Sequence, residues 1–460
     1  MVKKTEAGGL FGSQRSRVSA PISQSMVKSR KIGWRSAAAI VIANMVGTGV
    51  FTSLGFQLQA LENTWTILSL WVIGAVFSLL GAFSYAELGT RLPKSGGEYH
   101  FLSQIYHPFL GYLSGWVSLT VGFAASIALS AMAMGAYLQD IMGWSGQVIA
   151  ILAILVISMI HSSSVRQSSF FQNFLTLLKI VLILFLIFFG ITLHTPSNAI
   201  DWSDNWKNEF FSPAYAVSLI YVIYAFSGWN AAAYIVEEID QPKKNLPKAL
   251  IWGTLLVGIL FVLLQLAFLN QATIGQLRNK VDVGFVVAQI MFGKTGGSTI
   301  SLLIVLLLVA SISAMVWVGP RVTQAMAREY RNWRFFAQEN NNGIPVRAIV
   351  LQAVISLFMV VTSSFEQLLV YSGFILQLFT SLSVAGVLLL RWRQQGEQGA
   401  YLSPAFPWIQ IIFLLFSAWI LIFLLIDKPM ESLLGLVNVF VGSISYRWSA
   451  NYAVKKTDPE

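Results

Sequence analysis

The chain has 460 residues, of which 56% are hydrophobic and only 11% charged, with a formal net charge of +10. Soluble domains carry roughly a quarter charged residues, so this chain could not cover a water-facing surface. It has no cysteine, which excludes disulfides, a thiolate metal site and a covalent tether to a partner subunit.

A helix needs about 20 apolar residues to cross the hydrocarbon core of a bilayer. Stretches of that kind recur along the sequence and predict an all-α integral membrane protein of about twelve transmembrane helices. The basic stretch 1–30 has no short apolar core followed by a small-residue cleavage site, so it reads as a disordered tail rather than a signal peptide. Spans 1 to 5 are expected near 34–60, 66–90, 109–138, 146–162 and 170–193, and spans 6 to 10 near 211–236, 248–270, 297–328, 346–363 and 367–391. Two further helices follow near 405–426 and 430–448, and a short tail occupies 449–460. One transporter domain, 31–448, would then hold a first repeat over about 34–193, a second over about 211–391, and the two extra helices at 405–448.

With the N-terminus placed inside, only Lys207, Arg278, Lys280, Lys294 and Lys428 of the 30 lysines and arginines fall outside. That bias is the one the translocation machinery reads, and it puts both termini in the cytoplasm. The basic excess is thereby accounted for by topology and lipid, and it calls for no nucleic acid. The four histidines, His100, His107, His161 and His194, are scattered and show no metal-ligand spacing. No metal or cofactor site is expected, nor an enzyme, because no span holds a His/Asp/Glu cluster or a nucleophile motif. A channel is disfavoured as well, since no span offers a continuous polar path.

Span 1 carries Met45-Val46-Gly47-Thr48-Gly49-Val50 in mid-membrane, although a glycine in a helix interior costs about 1 kcal/mol relative to alanine. Span 6 is interrupted at the same relative depth by Tyr224-Ala225-Phe226-Ser227-Gly228-Trp229-Asn230. Corresponding helices broken in two halves point to a five-plus-five inverted repeat with its site at the breaks. Unwinding frees carbonyls at the end of one half-helix and N–H groups at the start of the next. The N–H groups of Thr48, Gly49 and Val50 could then hold a carboxylate, and the carbonyls of Ala43 to Met45 and of Tyr224 to Ser227 an ammonium. The competing reading is that the glycines serve close helix packing. A polyamine has no carboxylate and would want acidic residues at this depth, and spans 1, 3, 6 and 8 supply none. Phe123 and Ser126 in span 3, and Ser313 to Trp317 in span 8, are further candidates for the lining.

Lys179 lies inside span 5, where an ammonium is expensive and tends to mark function or a buried pairing. The alternative is a lysine that snorkels to the membrane surface. Glu237 and Glu238, at the end of span 6, read either as a solvated helix end or as gate ion pairs with Lys31 or Arg35. Glu87 and Glu98 are similar gate or proton candidates, with structural pairing the plainer reading. Trp34, Trp392, Trp408 and Trp448, near span ends, suit interfacial anchors.

At these residues the sequence resembles the amino acid–polyamine–organocation (APC) superfamily, most of all its L-type amino acid transporter branch and prokaryotic relatives. The matching segments are Val46-Gly47-Thr48-Gly49-Val50-Phe51, Phe226-Ser227-Gly228-Trp229-Asn230 with Val236-Glu237-Glu238, and Pro242-Lys243-Lys244-Asn245-Leu246-Pro247-Lys248-Ala249. Leu92-Pro93-Lys94-Ser95-Gly96-Gly97-Glu98-Tyr99 and Gly319-Pro320-Arg321 followed by Ala325-Met326-Ala327-Arg328 also fit. The resemblance runs from about 31 to 448. It implies a LeuT-like fold of five plus five helices with two more, moving amino acids by alternating access. It assigns the carboxylate to Gly47, Thr48 and Gly49, a carbonyl contact to Met45, and the span 6 gate to Tyr224, where the family often has Phe. Ala225, Phe226, Ser227, Trp229 and Asn230 complete the implied set, with Ser227 standing where many members have Gly. Lys179 would take the place of the sodium ion of coupled relatives. The resemblance further implies a stand-alone bacterial carrier in the cytoplasmic membrane, sodium-independent and driven by protons or exchange, with no disulfide-linked subunit.

Overall fold

The computed structural model describes residues 31–163, 169–193, 206–210 and 212–450. The expected tails, apart from 449–450, and the loop carrying Arg166 lie outside the described residues. Among the described residues the chain is helical, and its one extended contact is a parallel bridge between Ile32 and Ile239. Among the described residues nine helices are long and apolar enough to cross a membrane, or ten if the bent pair in span 1 counts as one. Val346–Thr362 is a shorter apolar helix and Pro429–Ala450 is a helix of 22 residues. Each expected span meets one of these helices or pairs.

Local chemistry sets several helix ends. The Asn63 side chain accepts from the N–H groups of Trp65 and Thr66 at the start of Thr64–Arg91. Ser364 and Gln367 form a reciprocal cap at the start of Phe365–Trp392. Pro213 and Pro242 occupy first-turn positions where no N–H is needed. Span 8 differs from expectation. Its helix runs over Val283–Glu329, and Gly293 adopts φ 73° within it, so an outer segment precedes the predicted 297–328.

Large apolar side chains such as Leu177, Phe188, Phe358, Leu415 and Phe440 stand exposed around the bundle. A belt of that kind suits lipid rather than water. Trp392, Trp408 and Trp448 are 81%, 64% and 73% exposed, as interfacial anchors should be, whereas Trp34 is half-buried. Span 1 begins at the near face of the bundle. Even-numbered spans end there, and span 1 and span 6 are joined there by backbone. Ile32 N donates to Glu238 O at 2.8 Å, and Asp240 N donates to Ile32 O at 2.9 Å.

Candidate functional site

Span 1 consists of Trp34–Met45 and Gly49–Gln57, bent by 41° at the intervening residues. Span 6 is helical over Pro213–Phe226, extends at Ser227 (ψ 146°), turns at Gly228 (φ 99°) and resumes as a tight 3-10 helix over Ala231–Glu238. The two breaks cross each other. A Cβ on Gly49 would lie 2.5 Å from Ala225 Cα, and one on Gly228 would lie 2.8 Å from the Asn44 carbonyl carbon. Both glycines therefore permit backbone-on-backbone contact, as the packing alternative held. Gly47 differs, because a Cβ there would meet nothing within 4 Å.

Gly47 opens onto a cavity of about 250 Å³ lined by span 1 (Asn44, Met45, Gly47, Thr48, Gly49) and span 6 (Tyr224, Ala225, Ser227 to Asn230). That volume lies near the lower end of small-molecule sites, roughly 300 Å³ upward, and suits a small solute. The first N–H groups of Gly49–Gln57 have no acceptor within their own helix, so an anionic group at the break would find donors there. The Gly47 N–H turns back to Met45 O at 2.8 Å, and Thr48 O accepts from Phe51 N and Thr52 Oγ1. Tyr224 is buried with its hydroxyl against Ser126 and Thr48. Trp229 stacks edge-on against Tyr85, with centroids 4.8 Å apart.

The expected set is not all brought together. The Phe226 side chain points away from the chamber into a fully buried aromatic group with Trp71 and Phe261, at centroid distances of 6.1 and 5.2 Å. The residue sits one position before the break, so helical rotation aims it at spans 2 and 7. Phe123 and Ser126 of span 3 and Met315 of span 8 line the chamber, while Ser313 bonds His161 at 2.8 Å. Span 3 widens into a π-helical stretch, Ser118–Ala125, where it passes the cavity, a distortion frequent at functional sites.

Lys179 is 7% exposed, and its Nζ donates to Ala43 O at 3.3 Å and Ser311 Oγ at 3.1 Å. It thus joins span 5 to the first half of span 1 and to span 8, and it does not reach for the membrane surface. Glu237 accepts from Ser95 N at 3.0 Å, and Glu238 contributes its backbone carbonyl to Ile32. Neither glutamate is ion-paired with Lys31 or Arg35 among the described residues. Glu87 has the structural pairing expected of it, with Arg391 and Arg91.

Sequence reasoning missed part of the lining. Phe77 of span 2, Gln377 and Thr380 of span 10 and Phe413 of span 11 reach the chamber, and Glu98 enters it from the short helix Glu98–Ile105 between spans 2 and 3. The available signal was the polar series Ser372, Gln377, Thr380, Ser381 and Ser383 within an otherwise apolar span 10. Spans 1, 3, 6 and 8 bring no acid to the chamber, as expected, and Glu98, a gate or proton candidate, reaches it from a connecting helix.

A bundle of membrane-crossing helices closed around a mid-depth chamber, with two helices broken at its wall, is the architecture of a solute carrier. The sequence profile described as amino acid permease matches residues 32–444. The chain is 28% identical over 445 residues to the serine/threonine exchanger SteT of Bacillus subtilis (strain 168), covering 93% of this chain and 97% of the relative. It is 29% identical to the large neutral amino acids transporter small subunit 2 of Rattus norvegicus, covering 90% of this chain and 79% of that one. Against the b(0,+)-type amino acid transporter 1 of Homo sapiens, identity is 26%, covering 92% and 88%. The chain belongs to the amino acid permease family. It is a multi-pass membrane transporter of amino acids and not an enzyme.

Proposed function

We propose that the chain carries amino acids across a bacterial cytoplasmic membrane by alternating access, without sodium, driven by protons or by exchange. The near face is the cytoplasmic one and both termini lie there. Gly47 carries the reading, because it lines the chamber and has open space where a Cβ would stand, whereas the Cβ position of Gly49 is filled by Ala225. The substrate carboxylate docks on the N–H groups of Thr48 and Gly49, with Met45 O and the carbonyls of span 6 near its ammonium. Tyr224 gates the site, while Ala225, Ser227, Trp229 and Asn230 shape the side-chain pocket. Lys179 holds the half-helices in register where coupled relatives would place an ion, and Glu237 and Glu238 belong to the cytoplasmic closure. The chain acts with lipid around it and without a disulfide-linked subunit.

The test is uptake of a panel of labelled amino acids into proteoliposomes, with and without internal substrate, sodium and a pH gradient. Accumulation or exchange of at least one without sodium is expected, and failure of every amino acid to enter or compete would overturn the proposal. A second reading, a polyamine or other organic cation carrier, is favoured by Glu98 in the lining. Competition by a diamine stronger than by any amino acid would select it.

A further inference from the structure

We propose that Glu98 is a proton-binding site of the transport cycle, whose protonation releases the second half of span 6 and with it the near-face closure. This rests on the carrier reading above and names a residue that it leaves unassigned.

Among the described residues Glu98 is the only Asp, Glu, Lys, Arg or His in the lining of the chamber, and it is 7% exposed. Oε1 accepts from Tyr85 Oη at 2.5 Å and from Asn230 Nδ2 at 3.2 Å, and Oε2 accepts from Tyr234 Oη at 3.2 Å. Thr380 completes the set. These donors come from span 2, from span 6 beyond its break and from span 10, and all are neutral.

The surrounding charges are engaged elsewhere. Arg91 and Arg391 bind Glu87, and Arg393 donates to Ile105 O at the far end of the 98–105 helix. Glu329 of span 8 takes the hydroxyl of Tyr99, Glu237 accepts from Ser95, and Lys94 and Glu237 both lie near His100. Burial pushes the Glu98 carboxyl above its ordinary value, and its hydrogen bonds pull it only part of the way back. Ion pairing would relieve such a buried charge, but here only dipoles do so.

The donors are not equivalent. A tyrosine or threonine hydroxyl can turn to accept from a protonated carboxyl, whereas an amide nitrogen donates only. A proton on Oε2 is donated to the Tyr234 hydroxyl, which turns to accept it, and loss of the negative charge weakens the bonds that Oε1 accepts, the one from Asn230 included. That residue opens the 3-10 half of span 6, whose other end is tied to the start of span 1 through Ile32. The proton comes from chamber water and leaves to the side the chamber next faces, with no other bond made or broken.

The test uses the full-length protein. In proteoliposomes loaded with whichever amino acid the panel selects, wild-type exchange should vary between acidic and neutral pH. Glu98→Gln should exchange with no pH dependence and should not accumulate substrate on a pH gradient, and an unchanged profile would overturn the proposal. An infrared titration of the purified protein gives a readout independent of transport, in which the protonated-carboxyl stretch should titrate in wild type and be lost in Glu98→Gln. A second variant, Tyr85→Phe, removes one donor and should move the titration about one to two pH units upward. If that titration does not move, or wild type shows no such band, Glu98 is a structural acid only. If no amino acid is transported, the carrier reading fails while the infrared titration still decides on Glu98.

Discussion

Gly47 and Gly49 are two residues apart and have opposite surroundings. A methyl on Gly49 must push span 1 off Ala225, since the Cβ would lie 2.5 Å from its Cα. Overpacking of this kind costs about 1–3 kcal/mol, so Gly49→Ala should lower the unfolding temperature of the purified protein. Gly47→Ala should leave that temperature unchanged and weaken substrate binding, read as a higher KM in proteoliposomes. If the two variants behave alike, both glycines are packing residues. Lys179→Ala removes two hydrogen bonds from a charged donor, each worth about 1.5–3 kcal/mol. Sodium-free flux should fall by roughly a hundredfold or more on the scale of 1.4 kcal/mol per decade, and undiminished flux would discard the lysine's role. For Glu98 the linkage sign follows from its raised value. Between the ordinary and the raised value the folded protein holds the extra proton, so its stability falls as pH rises through that window. Thermal unfolding across acidic to neutral pH should show that slope in wild type and lose it in Glu98→Gln.

At the scale of elements, the two broken spans and the π-helical stretch of span 3 meet at the chamber, and the capped, uninterrupted helices of spans 2 and 10 complete its wall. The breaks were legible because glycine in mid-span is expensive and needs a reason. The π-helical stretch was not, because Ser118–Ala125 has the composition of any small-residue membrane helix. Spans 2 and 10 are clamped at the near face by Glu87. It accepts from Arg391 Nε and Nη2, both at 2.7 Å, from Arg91 Nε at 2.9 Å, and from Ser403 N at 2.9 Å. Glu87→Gln removes one charge of a buried group and leaves the arginines uncompensated, a change that costs about 3–5 kcal/mol. A large drop in unfolding temperature is expected. A shift in the inward–outward equilibrium without that drop would show that the clamp is a gate instead.

For the whole molecule, orientation follows from the basic residues and can be tested directly because the chain has no native cysteine. A cysteine introduced at Lys207 should react with an impermeant thiol reagent on intact cells, and one at Gln395 only after permeabilisation. The reverse pattern would invert the topology. Both positions are exposed, so failure to react would not stem from burial.

The amino-acid sequence alone determined that the chain lives in a membrane, where its spans run and which of them are broken. Apolar length, lysine and arginine bias and mid-span glycine are each properties of short segments. It also singled out Lys179, since a charge inside a span stands out without any neighbours. Tertiary structure decided which glycine has open space beside it and which lets two helices touch. It also turned Phe226 away from the site and brought Glu98 into it from a connecting helix. Those outcomes depend on how helices cross and rotate against one another, and residues distant in sequence set that geometry together.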